Sequence, residues 1–405
     1  MSLTNKNNIW FQLVLIIFLA SFTKDKDGYE ILKSKSKEIK SYSSDDYNDL
    51  KFLNNYIKDK RIVYLGESTH YAKEITLFKN RIIKYLHENL NFEILAIESP
   101  MAEMKFLIDV NRPKEIDSII KNGTLRMFHN EDFKATLDYS ISNKLNLVGL
   151  DIQIQSKKVI NEYLRNGFNQ VVPDSIIRSL IQLDSIFLIS DLTQKNKLRK
   201  KLYEMYEKTI KLYNSSLKTE QLTLNQKIFV RVLENRKFLT SSYGKNYSST
   251  IRDSLMAENL NWYYKNVYKN KKIIVWAHNY HIMKNYPTIY NSNSKIMAAE
   301  VDSEIAQQSY NIGIYCYSGK VLFNSKIRKI DKPSKGSLEF ILKQSGYEIT
   351  YLDVSNPEDF KSCSWYYKPV AALYNGFKVD DRFIIKDCFD AIVSLKKVQP
   401  TKILY

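Results

Sequence analysis

Three cysteines, eleven glycines and eight prolines in 405 residues leave several chemistries without their usual support. Cys316, Cys363 and Cys388 are far apart and odd in number, which excludes a disulfide framework and a cysteine-based zinc cluster; at most one disulfide can form after export. The few glycines build neither G-x-G-x-x-G nor G-x-x-x-x-G-K-[ST], so dinucleotide and P-loop chemistry are not indicated. There is no G-x-S-x-G elbow, and Ser68, with Gly66 before it but no glycine after it, is not a nucleophile candidate. Acid is scarce relative to base: 44 Asp and Glu against 61 Lys and Arg give a net charge of +17. The lysines are dispersed among Asn, Ile and Tyr without a nucleic-acid motif, which reads as a solvated surface rather than a binding stripe. No nucleic acid and no stable protein partner is expected.

Apolar residues are plentiful, at 44%, enough for one large domain or for a core domain with an insertion. Lys6 precedes an apolar run from Ile9 to Phe22, shorter than the roughly 20 residues that span a bilayer, and a wholly polar TKDKDG follows. Residues 1–24 therefore read as a signal peptide, with an uncleaved N-terminal anchor as the alternative. The folded domain is expected over 29–405, exported to the periplasm or secreted.

Within that domain RIVYLGESTH, residues 61–70, is the organising stretch. Ile62 to Leu65 predict a buried strand that ends at Gly66 and presents Glu67 and His70 before an amphipathic helix starting near Ala72; Ser68 or Thr69 could cap that helix instead. The helix should bury Ile75, Phe78, Ile82, Ile83, Leu86 and Leu90 and stop at Asn89 to Asn91. A strand over Glu93 to Ile97 ends in Glu98, and one over Leu145 to Leu150 ends in Asp151. From about 157 to 268 the period is helical throughout, which predicts an inserted helical segment, with Arg252 and Asp253 in the first turn of its last helix. Lys272 to Ala277 resume the sheet and end in His278, Asn279 and His281. Further strands are expected at Asn311 to Tyr317, Glu348 to Val354 and Phe389 to Leu395. The fold class is α/β, a mostly parallel sheet flanked by helices with a helical insertion, and Glu67, His70, Glu98 and Asp151 should gather at its carboxyl edge.

The chain has five histidines, and His278 and His281 sit within four residues of each other at one strand end while His70 sits at another. In order, GESTHYAKEITLFKNRIIKYL, ILAIES, VGLDIQ, RDSLMAENLNW, VWAHNYH and FDAIV make the chain resemble the erythromycin esterase family over roughly residues 60–395. The combination of G-E-x-x-H with A-H-N-x-H carries the resemblance. It implies an α/β sheet with a helical insertion, carboxylic ester hydrolysis, and active-site roles for Glu67, His70, Glu98, His278 and His281; the best-known members open the lactone of macrolide antibiotics, the chemistry of antibiotic resistance. Lys79 stands where those members have an arginine, and an ammonium lacks the planar bidentate fork, which puts macrolide specificity in question.

Without a serine or cysteine nucleophile, ester or lactone hydrolysis needs an activated water, a base and donors to the oxyanion. His70 is the candidate base, with Glu67 or Glu98 holding its other ring nitrogen and His278 or His281 donating to the oxyanion or leaving group. Lys79, His129, Asp151, Arg252, Asp253 and Asn279 are candidates for substrate binding or for orienting those groups. His87 is expected to be solvated. No cofactor is required; the alternative is zinc on His70, His278 and His281, although His-x-x-His in a loop lacks the spacing of the helical zinc motif. A non-catalytic protein binding a metal or haem-like ligand on the same scaffold is the other reading.

Overall fold

A computed structural model describes residues 28–110, 115–168, 171–217, 222–242, 249–285, 295–374 and 376–405. The expected leader, residues 1–24, lies outside the described residues. Among the described residues no helix is long and apolar enough to cross a membrane.

The core is one eight-stranded sheet. Its strands in chain order are β1 (Lys37–Glu38), β2 (Ile62–Leu65), β3 (Phe92–Pro100), β4 (Asn146–Asp151), β5 (Lys272–Trp276) and β6 (Ser309–Cys316); the hairpin β7 (Lys320–Phe323) and β8 (Lys326–Lys329) stands apart. Then come β9 (Ile349–Asp353), a second separate hairpin of β10 (Val370–Tyr374) and β11 (Phe377–Phe383), and β12 (Ala391–Leu395). The spatial order is β1-β9-β12-β6-β2-β5-β3-β4, parallel from β12 through β4, with β9 antiparallel to both its neighbours. A parallel sheet needs both faces covered, which accounts for the unbroken burial of β2 and β6.

Helix α1 (Lys73–Leu90) follows β2 and buries all six residues of its apolar face. Its end is set by Asn91, whose left-handed φ of 58° lets its N–H close on Leu86 O. The helix starts where expected, with Ala72 as the N-cap and no side-chain cap bond, so Ser68 and Thr69 do not cap it. Helices α2 (Met101–Val110), α3 (Ile116–Gly123) and α4 (Glu131–Ser142) carry the chain from β3 to β4. Between β4 and β5 lie α5 (Lys157–Phe168), α6 (Asp174–Ile189), α7 (Leu192–Ser216), α8 (Leu224–Ser242) and α9 (Ser249–Trp262), the last continuing as a π-helical turn over Tyr263–Val267.

The strand order places the site. β5 returns between β2 and β3, so the carboxyl ends of β2, β5, β3 and β4 stand side by side although Leu65 and Trp276, paired at the ends of β2 and β5, are far apart in the chain. β3 runs past the expected end at Ile97 to Pro100, with an irregular register between the two, so Glu98 belongs to a distorted strand end rather than to the loop after it. Such irregularities re-aim side chains beside functional sites.

Candidate active site

Glu67 follows β2 and Gly66. Its carboxylate is buried and accepts three hydrogen bonds: His70 Nδ1–H to Oε1 at 2.7 Å, Lys79 Nζ to Oε2 at 2.8 Å and Trp276 Nε1–H to Oε2 at 3.0 Å. Burial alone would raise its pKa, but the Lys79 ammonium and His70 outweigh it and hold it at about 2. An ionised Glu67 can only accept, so His70 carries its proton on Nδ1 and leaves Nε2 as a base. His70 is also the accessible ring, 29% exposed against the buried His278 and His281.

Lys79 has no exposed surface. It lies 4.3 Å from the Trp276 ring centroid, and burial lowers its pKa to about 8 in spite of Glu67. Lys79 thus bonds Glu67 and presents no surface to the solvent. Trp276 was not among the residues expected here; an apolar strand gives no sign of an indole N–H turned toward a carboxylate on the neighbouring strand.

His278 lies 5.2 Å from His70 between ring centroids. Its Nδ1 accepts the Tyr280 N–H, so the neutral ring carries its hydrogen on Nε2. Burial, aided by His70 and His281, lowers its pKa to about 3, which keeps the ring neutral at physiological pH. His281 is the opposite case. Burial disfavours its charge, but Glu98 and Asp253 prevail and raise its pKa to about 9. Nδ1–H donates to Asp253 Oδ2 at 2.8 Å, and Nε2 stands 3.2 Å from Glu98 Oε1. With both nitrogens facing carboxylates, His281 is a member of a buried ion network rather than a donor to a substrate.

Glu98 ties the strand ends together. Its Oε2 accepts the His278 backbone N–H at 3.0 Å and its Oε1 accepts from Arg252 Nη2 at 2.7 Å. Although burial opposes its charge, His281 and Arg252 hold its pKa well below the usual carboxylate range. Arg252 also donates through Nε to Asp151 Oδ2 at 3.0 Å, and Asp253 accepts the Met297 N–H. Thus α9 delivers a cation and an anion to adjacent strand ends, and Asp151, Arg252 and Asp253 orient the histidines from behind.

Asn279 is framework. Its side chain bonds Ile314 through both N–H and C=O, at 2.9 and 3.1 Å, clamping the loop after β5 to β6. A Cβ on Gly66 would fall 2.0 Å from Asn279 Oδ1, which explains the glycine. His129 stands apart: its Nε2 bonds Thr124 O, and burial lowers its pKa. His87 is not simply solvated, since Nδ1 bonds the Tyr139 hydroxyl at 2.9 Å. The three cysteines are free and buried. Among the described residues no three His, Cys, Asp or Glu side chains are grouped to hold a metal ion, and the pairing of His70 with Glu67 and of His281 with two carboxylates does not offer three converging ring nitrogens.

Beside this network a cleft of about 700 Å³ is lined by Tyr71, Lys121, Arg126, His129, Gln155, Asn324 and Tyr405, among others. Neither Tyr71 nor the two cations were expected at the site from sequence. Tyr71 has a φ of 59°, an unusual conformation for a bulky residue, and no sequence signal marks it.

A family model described as erythromycin esterase matches residues 87–398. Glu67, His70 and Lys79 precede the matched stretch. A Bacillus subtilis protein described as the putative hydrolase YbfO is 33% identical over 397 residues, covering 88% of this chain and 88% of its own. Erythromycin esterase type II of Escherichia coli is 22% identical, covering 93% of this chain and 99% of its own. The solved structure of an erythromycin esterase mutant, EreC in its open conformation, superposes with a TM-score of 0.64 at 14% identity, over 90% of this chain and 98% of that one, a likeness of fold. The family and the relatives' names support a hydrolase with a small-molecule substrate. With the family model spanning most of the chain and a relative at one-third identity matched over nearly its whole length, this chain belongs to the erythromycin esterase family.

Proposed function

We propose that the protein hydrolyses a carboxylic ester or lactone by water that His70 activates, without a metal ion. Glu67 fixes the His70 tautomer, Nε2 takes a proton from water as the water attacks the carbonyl carbon, and the carboxylate stabilises the imidazolium that results. The neutral His278 ring, with its hydrogen on Nε2, donates to the developing oxyanion. His70 then returns the proton to the leaving alkoxide. Four carboxylates, Glu67, Glu98, Asp151 and Asp253, meet three cations, Lys79, Arg252 and His281, in this network. A positive charge forming on His70 completes the balance.

The observation that carries this reading is the contrast between the three histidines: His70 accessible and oriented by an ionised carboxylate, His278 buried and neutral, His281 buried and cationic. Neighbouring groups driven to different charge states are what acid-base catalysis requires. The test is turnover of a panel of esters and lactones by the purified chain, with and without EDTA. Turnover that ignores the chelator is expected. Loss of activity with EDTA and its return with zinc would replace the metal-free scheme, and no turnover on any ester or lactone would overturn the reading.

A further inference from the structure

Arg126 is exposed and lines the cleft from a short 3-10 turn, and its guanidinium has no ion-pair or hydrogen-bond partner among the described residues. Other cations near by are engaged: Lys134 bonds Asp117 at 2.7 Å, Lys402 bonds Glu131, and Arg252 bonds Asp151 and Glu98. Lys121 lies on the same wall, its ammonium 5.4 Å from the centroid of the Tyr405 ring. Among the described lining residues there are two cations and no Asp or Glu side chain. In a chain of charge +17 an exposed cation is ordinary; here two of them share one concavity with no acidic side chain, next to the residue that follows the candidate base.

Tyr71 is the lining residue nearest the site in the chain: it follows His70 directly, with 6.4 Å between the ring centroids. The Tyr71 hydroxyl feels both ends: burial and Glu67 disfavour its ionisation and Arg126 favours it. Arg126 and Lys121 likewise both add to the burial that lowers the pKa of His129. The conformation of Tyr71 is maintained by its neighbours, since Thr401 N–H donates to Tyr71 O and Ala72 bridges to Pro400. Strain of this kind persists where surrounding contacts impose it and concentrates at functional sites.

We infer that this cleft selects esters carrying an anionic group, which Arg126 and Lys121 hold while the ester carbonyl lies at His70. The inference rests on the ester-hydrolase reading and names its substrate class. A volume of about 700 Å³ suits a small molecule, and a guanidinium without a protein partner can take a carboxylate or phosphate in the bidentate manner. Gln155 and Asn324 supply neutral polar groups among the lining residues.

The test compares para-acetoxybenzoate with para-acetoxybenzamide, two esters alike in size and leaving group and different in charge. Wild type should favour the carboxylate by about tenfold in kcat/KM, the scale of one charge-assisted hydrogen bond, with the difference in KM. In Arg126→Gln with Lys121→Gln the ratio should approach unity, Arg126→Lys should restore part of it, and Lys134→Gln, outside the cleft, should leave it unchanged. Raising ionic strength from about 0.05 to about 0.5 M should also erode it. A wild-type ratio near unity, or one that survives loss of both cations, would overturn the inference while leaving ester hydrolysis intact. Calorimetric binding of the amide analogues para-acetamidobenzoate and para-acetamidobenzamide to the full chain separates the two claims. If no ester is turned over but the carboxylate analogue binds about tenfold tighter in an Arg126-dependent way, anion selection stands and the hydrolytic reading falls.

Discussion

Replacing Lys79 by methionine removes the only ammonium bonded to the buried Glu67 among the described residues. Glu67 is held at about 2 against an ordinary carboxylate value of 4.5, which corresponds to about 3 kcal/mol in favour of the folded state at neutral pH. Because the folded value is the lower one, that contribution is complete above about pH 4.5 and is lost as the pH falls toward 2. Lys79 carries an opposing cost. Its pKa is lowered from 10.5 to about 8, again about 3 kcal/mol, so below pH 8 the buried ammonium costs about what the carboxylate gains, a cost relieved as the pH rises from 8 to 10.5. The pair as a whole is close to neutral for stability, as buried ion pairs commonly are, whereas either charge alone is expensive.

Lys79→Met should therefore destabilise the protein by about 3–5 kcal/mol at pH 7, while Lys79→Met combined with Glu67→Gln should recover most of that loss. Urea unfolding of the four proteins in the cycle, followed by tryptophan fluorescence, measures both quantities. Lys79→Met should also flatten the loss of stability between pH 4.5 and 2. A cost below about 1 kcal/mol for Lys79→Met, or a double variant no more stable than the single one, would refute the reasoning.

Asp253→Asn should lower the His281 pKa from about 9, read by NMR titration of the ring; since that pKa lies above its ordinary 6.5, the stability it contributes is full below pH 6.5 and is lost by about pH 9, and the variant should show a smaller loss over that window. Gly66→Ala should displace the Asn279 side chain, cost about 1–3 kcal/mol in urea unfolding and reduce turnover more than tenfold, because the clamp between β5 and β6 sets where His278 stands. Unchanged stability in that variant would mean that the loop relaxes freely. His278→Ala should lower kcat far more than it raises KM if the ring serves the transition state, and a change in KM alone would assign it to substrate binding.

Much of the fold was legible because the central strands are short apolar runs ended by polar residues and α1 has a clean helical period. Glu67, His70, Glu98, His278 and His281 could be placed at strand ends from sequence, and the structure brings all five together. Their division of labour was not legible. Which carboxylate meets His70, and which histidine is walled in by Glu98 and Asp253, depends on β5 lying between β2 and β3, a choice the chain order leaves open. Lys79 could be noted but not seen to be buried, since a lysine on a helix is usually solvated. The β7–β8 hairpin was missed because its turn is Asn324-Ser325, both with positive φ, where a glycine would have announced it. The walls of the cleft come from that turn, from the end of α3 and the segment around Arg126, from Gln155 and Ser156 after β4, from Tyr71 and from the C-terminal residues, segments that no periodicity connects.

The most direct test of the central claim is single-turnover and steady-state kinetics of His70→Ala on an ester that the parent demonstrably cleaves. A fall in kcat of about a hundredfold or more, with substrate binding little changed, is expected of a lost general base. Near-parental turnover by His70→Ala would contradict it and would move the base to Glu67, Glu98 or one of the other two histidines.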